Sequence, residues 1–343
     1  MEKILLTQFS PGAGCGCKIS PADLEEILNK SKNSFHDKNL LVGNESKDDA
    51  AVYDTGNGLA IISTTDFFTP IVDDPYLFGK IASINAMSDV YAMGGKPMMA
   101  ISILGWPLDK LPKELASRVI DGAIDACAEA GIALAGGHSI DIPVPIFGLA
   151  VTGMIKKENI KRNNTALEGH HIFLTKPLGI GILSTAAKKG ILTEEHLANS
   201  ISIMSQLNSI GTELGTLSGV SAMTDVTGFG LLGHLIEMCE GSHLSADIYF
   251  DKLPKAEGLE KYIQEKAIPG GTFRNLKSFG TIADSFNEFQ KILMADPQTS
   301  GGLLVAISEN SISDLQAISA RAGVKVYEIG ILRKLREDLI RLL

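Results

Sequence analysis

The chain has 343 residues and a formal net charge of −9; 45% of its residues are hydrophobic and 21% are charged. This length predicts two domains of ordinary size, and this balance of residues is typical of a globular chain. Proteins that bind nucleic acid usually present a basic face. The excess of 40 acidic over 31 basic residues therefore indicates no nucleic-acid partner.

Four cysteines are too few for a disulfide framework in a chain of this length. The N-terminal segment carries only a short apolar run after one lysine, which is far from a signal sequence. The longest apolar stretch, at about 142–155, is interrupted by prolines and glycines and is too short to cross a bilayer. We therefore expect a cytoplasmic protein in a reducing compartment, with no membrane partner.

The first half of the chain alternates strand and helix patterns. The predicted elements, in chain order, are a helix opening at Ser20 and Pro21, a strand at 58–65 that ends at Asp66, a helix at 77–93, a strand at 101–106, a helix at 112–130, a strand at 133–139 that runs into a glycine turn, and a strand at 146–155. The segment 156–170 is polar and aperiodic. We place a domain boundary there, giving an N-terminal domain at 1–157 and a C-terminal domain at 158–343.

The second half repeats this alternation, so both domains are predicted to be α/β. Its predicted elements are a strand from His171, helices at 181–189 and 194–214, a short strand that ends at Asp225 before a glycine turn and a helix, and a strand that ends at about 307. Near the C-terminus, Arg333, Lys334, Arg336 and Arg341 alternate with leucine and isoleucine. This pattern predicts a solvated amphipathic helix.

Five aspartates stand at junctions of the predicted elements, at positions 48, 49, 66, 89 and 225. Asn85 and Asp89 are four residues apart and therefore share one face of their helix. Carboxylates in apolar surroundings are costly unless they are paired or bind a metal, and Mg²⁺ prefers oxygen ligands. Any single aspartate here is more often a turn or helix cap. The residues alone leave a magnesium site and a set of caps both open.

Two glycine patterns are candidates for binding phosphate. Gly136 to Ser139 follow a predicted strand, as a nest of backbone N–H groups would. Gly228, Gly230 and Gly233 form a GxGxxG that opens a helix, with Asp247 downstream, and this spacing offers a nicotinamide-dependent oxidoreductase as an alternative. The sequence contains no GxxxxGK[ST], which disfavours a P-loop ATPase.

The segment GAGCGCK at 12–18 places Cys15, Cys17 and Lys18 among glycines. A nearby ammonium lowers the pKa of a thiol, so we interpret this segment as a reactive, loop-borne thiol. A zinc half-site and a reversible disulfide are the alternatives, and they would make the protein a thiol or zinc module. Zinc would need further ligands, whereas Cys127 and Cys239 stand alone in helical patterns and are interpreted as core residues.

Eight motifs together resemble the selenophosphate synthetase (selenide, water dikinase) family, which belongs to the aminoimidazole ribonucleotide synthetase-like ATP-binding superfamily. They are GAGCGCK (12–18), KDDAAVY (47–53), STTDFF (63–68), NAMSDVYAMGGKP (85–97), ILGWP (103–107), AGGHSID (135–141), MTDVTGFGLLGH (223–234) and DPQTSGG (296–302). The resemblance runs from about residue 7 to residue 305. The GCGCK segment is specific to this family, whereas the aspartate and Gly-Gly-His motifs are shared across the superfamily.

The resemblance implies a two-domain α/β (α+β) fold whose N-terminal domains pair through their sheets in a homodimer. It implies an ATP- and Mg²⁺-dependent reaction in which ATP, selenide and water give selenophosphate, AMP and orthophosphate. A selenium-delivery protein is a further implied partner. Another ATP-dependent enzyme of the superfamily, an amidine-forming ligase or a small-molecule kinase, is the alternative.

The resemblance also assigns site residues. It implies that Cys15 is the catalytic thiol and Lys18 the essential lysine, on a mobile loop at about 8–20. The implied magnesium ligands are Asp49, Asp89 and Asp225. The implied nucleotide contacts are Lys18, Ser46, Lys47, Asp48, Asp66 and Asp89, with Gly137, His138 and Ser139 reaching across the dimer. Asn85 is a further polar residue of the site.

Overall fold

Two six-stranded sheets form the frame of the protein in the computed structural model, which describes residues 4–10, 12–19, 23–24, 26–27, 37–43 and 47–343. The strands of the first sheet are β1 (Leu40–Val42), β2 (Ala51–Asp54), β3 (Leu59–Phe68), β4 (Lys96–Trp106), β5 (Ala133–Asp141) and β6 (Ile146–Lys156). Their order is β1-β2-β3-β6-β4-β5, and every pair is antiparallel except β4–β5.

The second sheet is built from the C-terminal half of the chain. Its strands are β7 (His171–Leu174), β8 (Val220–Asp225), β9 (Leu244–Ile248), β10 (Leu303–Ile307), β11 (Tyr327–Lys334) and β12 (Ile340–Leu342). Their order is β12-β9-β11-β7-β10-β8, with only the β9–β12 pair parallel. The mixed α/β fold with one sheet in each half agrees with the predicted fold class, while the boundary at 157 stays a prediction.

Helices cover the inner faces of the sheets. The α-helices with described bounds are α1 (Pro75–Ala92), α2 (Lys113–Glu129), α3 (Ile180–Lys188), α4 (Glu194–Met204), α5 (Ile210–Thr216), α6 (Gly230–Ser242), α7 (Leu259–Gln264), α8 (Gly270–Ser278), α9 (Glu288–Met294) and α10 (Ile312–Ala322). Within the described residues, no helix is both long enough and apolar enough to cross a membrane.

Helix α1 is the central element, because it packs against β3 and β6 of the first sheet and against β8 and α5 of the second half. Its start is fixed by Pro75 in the first turn and by Asp74, whose side chain accepts a hydrogen bond from the Leu77 N–H. Almost every side chain of α1 is buried, including the polar Asn85. A buried polar side chain in this position needs specific partners, and these partners lie in the candidate site.

The structure corrects several predicted elements. Asp66 does not end its strand but lies inside β3. Gly136 to Ser139 form no turn or nest; they lie within the exposed edge strand β5, beside a register shift in its pairing with β4. The predicted helix at 194–214 is interrupted between α4 and α5. The helix start predicted at Ser20 and Pro21 lies outside the described residues.

The predicted C-terminal helix is also wrong, because this segment forms β11 and β12. The basic residues instead converge on the buried carboxylate of Asp247. The Nε of Arg333, the Nη2 of Arg336 and the Nε of Arg341 lie 3.1, 2.8 and 3.0 Å from its oxygens. These ion pairs tie the last strands to β9, and they hold the pKa of Asp247 low against the opposing effect of burial.

Candidate active site

Three carboxylates meet where the two halves of the chain touch α1. Asp49 precedes β2, Asp89 lies in the last turns of α1, and Asp225 is the last residue of β8. One carboxylate oxygen from each lies within 4.8 Å of the others. The resemblance implied these three residues as the magnesium ligands; the structure brings them together, and their role as ligands stays a prediction.

The three carboxylates have few compensating partners. Burial raises the pKa of Asp49 and of Asp89, and in both cases the charge of Asp225 raises it further. The hydroxyl of Thr224 donates to Oδ1 of Asp49 at 2.8 Å, and that of Thr64 donates to Asp89. Oδ2 of Asp49 and Oδ2 of Asp225 are buried without a hydrogen-bond partner among the described residues. A divalent cation would satisfy these oxygens and remove the repulsion, so the donor set fits Mg²⁺.

Beside the carboxylates, Asn85 connects the predicted catalytic residues. Its Nδ2 donates to Oδ2 of Asp66 at 2.7 Å, and its Oδ1 accepts from Sγ of Cys15 at 3.4 Å. Nζ of Lys18 donates to the same Asp66 oxygen at 3.2 Å. The structure thus places Cys15, Lys18, Asp66 and Asn85 in one hydrogen-bonded group. The shared amide fixes the position of the thiol relative to the ammonium.

The thiol is not activated as the sequence analysis expected. Cys15 is only 1% exposed, and burial, with the charge of Asp66, raises the pKa of its thiol. Lys18 acts in the expected direction and lowers that pKa, but its effect is smaller. Burial alone would lower the pKa of Lys18, and the neighbouring carboxylates, Asp66 first, raise it instead. In this conformation the group therefore holds a neutral thiol beside a charged lysine.

The sequence analysis missed a second set of contacts to the thiol loop, made by the segment before β10. Oγ1 of Thr299 accepts from the Cys15 N–H at 3.0 Å, and the Ser300 N–H donates to Oδ1 of Asn85 at 2.7 Å. Ser300 has a φ of 51°, which is a strained conformation for a residue with a side chain. The motif DPQTSGG at 296–302 was the available signal, but its letters do not show which atoms face the thiol.

A buried lysine supports this strained segment. Nζ of Lys176, after β7, donates to the Ser300 carbonyl at 2.8 Å and to the Gln206 carbonyl at 2.6 Å. Burial lowers the pKa of Lys176 to about 7. Lys176 thus acts on the site through Ser300 and Asn85 rather than by direct contact with the thiol.

The predicted nucleotide contacts before β2 are only partly described. Oδ1 of Asp48 accepts from the Asn163 N–H at 2.7 Å, and the carbonyl of Lys47 accepts from Nδ2 of Asn163 at 2.9 Å. Lys47 has a φ of 53°. Ser46 lies outside the described residues. This turn is therefore held against the segment that joins the two halves, next to Asp49.

Gly137, His138 and Ser139 are not brought to the carboxylates of their own chain. They are exposed on β5, and two strands, β6 and β4, separate β5 from β3, which carries Asp66. At about 4.8 Å per strand this is a distance of about 14 Å.

The structure also tests the two alternatives from the sequence analysis, a nicotinamide-dependent oxidoreductase and a zinc module. The strand before the GxGxxG motif, β8, is an edge strand and does not pair with β9, so a parallel strand–helix–strand unit is missing from this part of the described chain. Asp247, the acidic residue of that alternative, is occupied by the three arginines. Cys127 and Cys239 are buried core residues, as predicted. Within the described ranges, the cluster with metal-site geometry contains no cysteine.

Comparisons with known proteins give consistent matches. Residues 47–155 match the family model described as AIR synthase related protein, N-terminal domain, and residues 168–338 match the C-terminal domain of the same description. The chain is 57% identical over 337 residues to the selenide, water dikinase of Haemophilus influenzae strain 86-028NP, covering 98% of this chain and 97% of that one. It is 56% identical over 327 residues to the selenide, water dikinase of Pasteurella multocida strain Pm70, covering 95% and 93%.

A solved structure shows the same fold at low sequence identity. The crystal structure of hydrogenase maturation protein HypE in complex with ATP superposes with a TM-score of 0.63 and 18% identity, covering 98% of this chain and 91% of that chain. The architecture is thus common to proteins that differ widely in sequence.

Proposed function

The chain belongs to the selenide, water dikinase family, and we propose that it converts ATP, selenide and water to selenophosphate, AMP and orthophosphate. The resemblance carried by the sequence motifs is confirmed by relatives that are more than half identical over nearly the whole chain. ATP and selenide are accordingly its substrates. The observation that carries the mechanism is the meeting of Asp49, Asp89 and Asp225 next to Cys15 and Lys18.

Asp49, Asp89 and Asp225 are proposed to hold Mg²⁺. The ion would supply charge neutralisation for the triphosphate in a chain of net charge −9. The unpartnered oxygens of Asp49 and Asp225 support this proposal, because they leave acceptor positions for a cation. Lys47 and Asp48 directly precede Asp49, and the charge of Asp66 acts on Asp89; these three residues are proposed, with Ser46, as contacts to the nucleotide.

Cys15 and Lys18 are proposed to act on selenium and phosphate respectively. The side chain of Lys18 is 39% exposed, and its ammonium is proposed to face a phosphate while it stays bonded to Asp66. The amide of Asn85 holds Cys15 directly and Lys18 indirectly, through Asp66. Cys15 is almost fully buried, and we propose that closure of its loop over the site keeps water away from a phosphoryl group in transfer.

The first sheet is proposed to pair with a second copy of the chain. Apolar side chains on one face of β3, β4 and β6 are exposed, namely Ile61, Phe67, Met99, Ile101 and Met154. The opposite face of the same strands is buried against α1. We propose that in this dimer Gly137 of one copy contacts the nucleotide of the other, since within its own chain three strand spacings separate β5 from β3, which carries Asp66.

Replacing Ile101 by glutamate is expected to weaken this dimer about a thousandfold, because two-fold symmetry buries two unpaired charges in one interface. Sedimentation velocity at micromolar concentration measures the shift to monomer. Leu167→Glu is the matched control, since Leu167 is equally exposed and apolar but lies outside the sheet. A wild-type monomer, or a dimer unchanged by Ile101→Glu, would contradict the proposed pairing.

Phosphorus NMR tests the proposed reaction directly. ATP is followed anaerobically with Mg²⁺ and a thiol reductant, with and without selenide. The expected result is a new selenide-dependent phosphorus resonance that appears together with AMP and orthophosphate. ADP as the sole nucleotide product, formed equally without selenide, would assign the chain to another ATP-dependent activity of the superfamily, a ligase or a kinase.

A further inference from the structure

A cavity of about 330 Å³ lies beside the thiol loop and shares no lining residue with the carboxylate cluster. Its wall includes Gly12 and Gly16 of the loop, and Thr299. Cys15 lies between the two spaces. Its N–H donates to Thr299 in the cavity wall, and its Sγ contacts Asn85 on the carboxylate side. The backbone of Cys15 therefore adjoins the cavity wall, while its thiol contacts Asn85 on the other side.

The cavity carries positive charge. Lys188 and Lys189 at the end of α3, and Arg274 of α8, line it, and none of its described lining residues is acidic. Each cation donates to a backbone carbonyl: Lys188 to Ser10 at 2.6 Å, Lys189 to Lys266 at 2.7 Å, and Arg274 to Gly16 at 2.6 Å. A carbonyl satisfies a donor but does not neutralise its charge, so the three charges remain available to an anion.

We propose that this cavity binds the selenide anion before it reaches Cys15. The proposal rests on the proposed function, which requires a small anionic substrate besides ATP. Hydrogen selenide is a monoanion at neutral pH, and the net charge of −9 would repel it elsewhere on the surface. Because ATP approaches from the carboxylate side, a separate anion site lets both substrates reach Cys15 without displacing each other.

The cations have two separable roles. Lys188 and Arg274 bond to the thiol loop itself, so their removal also disturbs the loop. Lys189 bonds to Lys266, which is not part of the loop, and it changes the charge of the cavity alone. Lys277 provides a control because it lies on α8, like Arg274, but does not line the cavity.

Kinetic constants measured separately for the two substrates test the site. For Lys189→Met we expect the KM for selenide to rise about fivefold, and for Arg274→Met about tenfold, since each loses one cationic contact. The KM for Mg-ATP should stay within about twofold for Lys189→Met, and Lys277→Met should resemble wild type. An unchanged KM for selenide in both cavity variants would overturn the proposal, while selenide-dependent AMP formation by the wild type would leave the proposed function standing.

Orthophosphate, a product of the same chemistry, is the competing occupant. If the cavity binds orthophosphate instead, Lys189→Met will weaken inhibition by added orthophosphate and leave the KM for selenide unchanged, which refutes the selenide assignment.

X-ray diffraction gives the position of the bound selenide. Crystals of Cys15→Ser soaked anaerobically with selenide, with data collected at the selenium absorption edge, should show anomalous density inside the cavity. Density only on the carboxylate side, or none, would contradict the proposal.

Discussion

The variant Asp49→Asn is expected to lose Mg²⁺-dependent ATP turnover, with kcat lowered about 10²- to 10³-fold while the protein remains folded. Asparagine keeps the size of the side chain and can still accept from Thr224 at the position of Oδ1. It removes one of the three negative charges of the proposed Mg²⁺ site, which Asp49 forms with Asp89 and Asp225. Turnover is measured as AMP formed at saturating ATP over a series of Mg²⁺ concentrations.

Without metal, Asp49→Asn is expected to be more stable than the wild type, and this difference in the free energy of unfolding should grow as the pH rises. The pKa of Asp49 is raised in the folded state, so the folded protein binds this proton more tightly than the unfolded chain does. Stability from the neutral carboxyl is present below the unfolded pKa of about 4 and is lost as the pH rises towards the folded value. Asparagine has no such loss. Urea unfolding in EDTA should therefore show the advantage of Asp49→Asn growing as the pH rises above about 4.

Two controls separate these effects from a general loss of folding. Asp54→Asn removes an aspartate from β2, whose exposed ion pair with Lys157 lies away from the cluster, and it should leave turnover unchanged. Mg²⁺ should raise the free energy of unfolding of the wild type and not that of Asp49→Asn. If Asp49→Asn kept its magnesium dependence and its kcat within about twofold, Asp49 would not be a ligand.

The sequence predicted the frame of the site well where local patterns determine it. The helix that became α1 was predicted at 77–93, close to its observed bounds of Pro75–Ala92, and Asn85 and Asp89 fell on one face as predicted. The three carboxylates were also named in advance, although through the resemblance. Periodicity gives no distance between Asp49, Asp89 and Asp225, which lie on separate elements.

Features set by long-range contacts were not predictable. Burial and the charge of Asp66 raise the pKa of Cys15, and Thr299, almost 300 residues away, contacts the same residue, whereas the sequence showed only the nearby Lys18. The strained φ of Ser300 likewise depends on Lys176 and Asn85, and neither is close in sequence. At the C-terminus, alternating basic and apolar residues fit either a helix or a strand, and Asp247 decided the outcome from about 90 residues upstream.

The second large effect on turnover is expected from substitution of Cys15. Cys15→Ser is expected to lower selenide-dependent AMP formation at least about 100-fold, because a hydroxyl lacks the polarisable, ionisable sulfur that can act on selenium. The substitution is nearly isosteric, and a serine hydroxyl can donate to Asn85 as Sγ does. The loop, the bond from residue 15 to Thr299 and the Lys18–Asp66 pair should therefore persist. The expected loss is one of chemistry rather than of folding.

To show that Cys15→Ser loses chemistry and not folding, the binding of Mg-ATP and the turnover must both be measured. Mg-ATP should stabilise Cys15→Ser against thermal unfolding as much as it stabilises the wild type, since the carboxylates and Lys18 are unchanged. Cys127→Ser is the matched control: Cys127 is equally buried but lies in α2, and its substitution should affect stability without lowering turnover per folded molecule. If Cys15→Ser retained full selenide-dependent turnover, the thiol would have no catalytic role. The specific Gly/Cys segment would then serve only to close the site, with Lys18 as its functional residue.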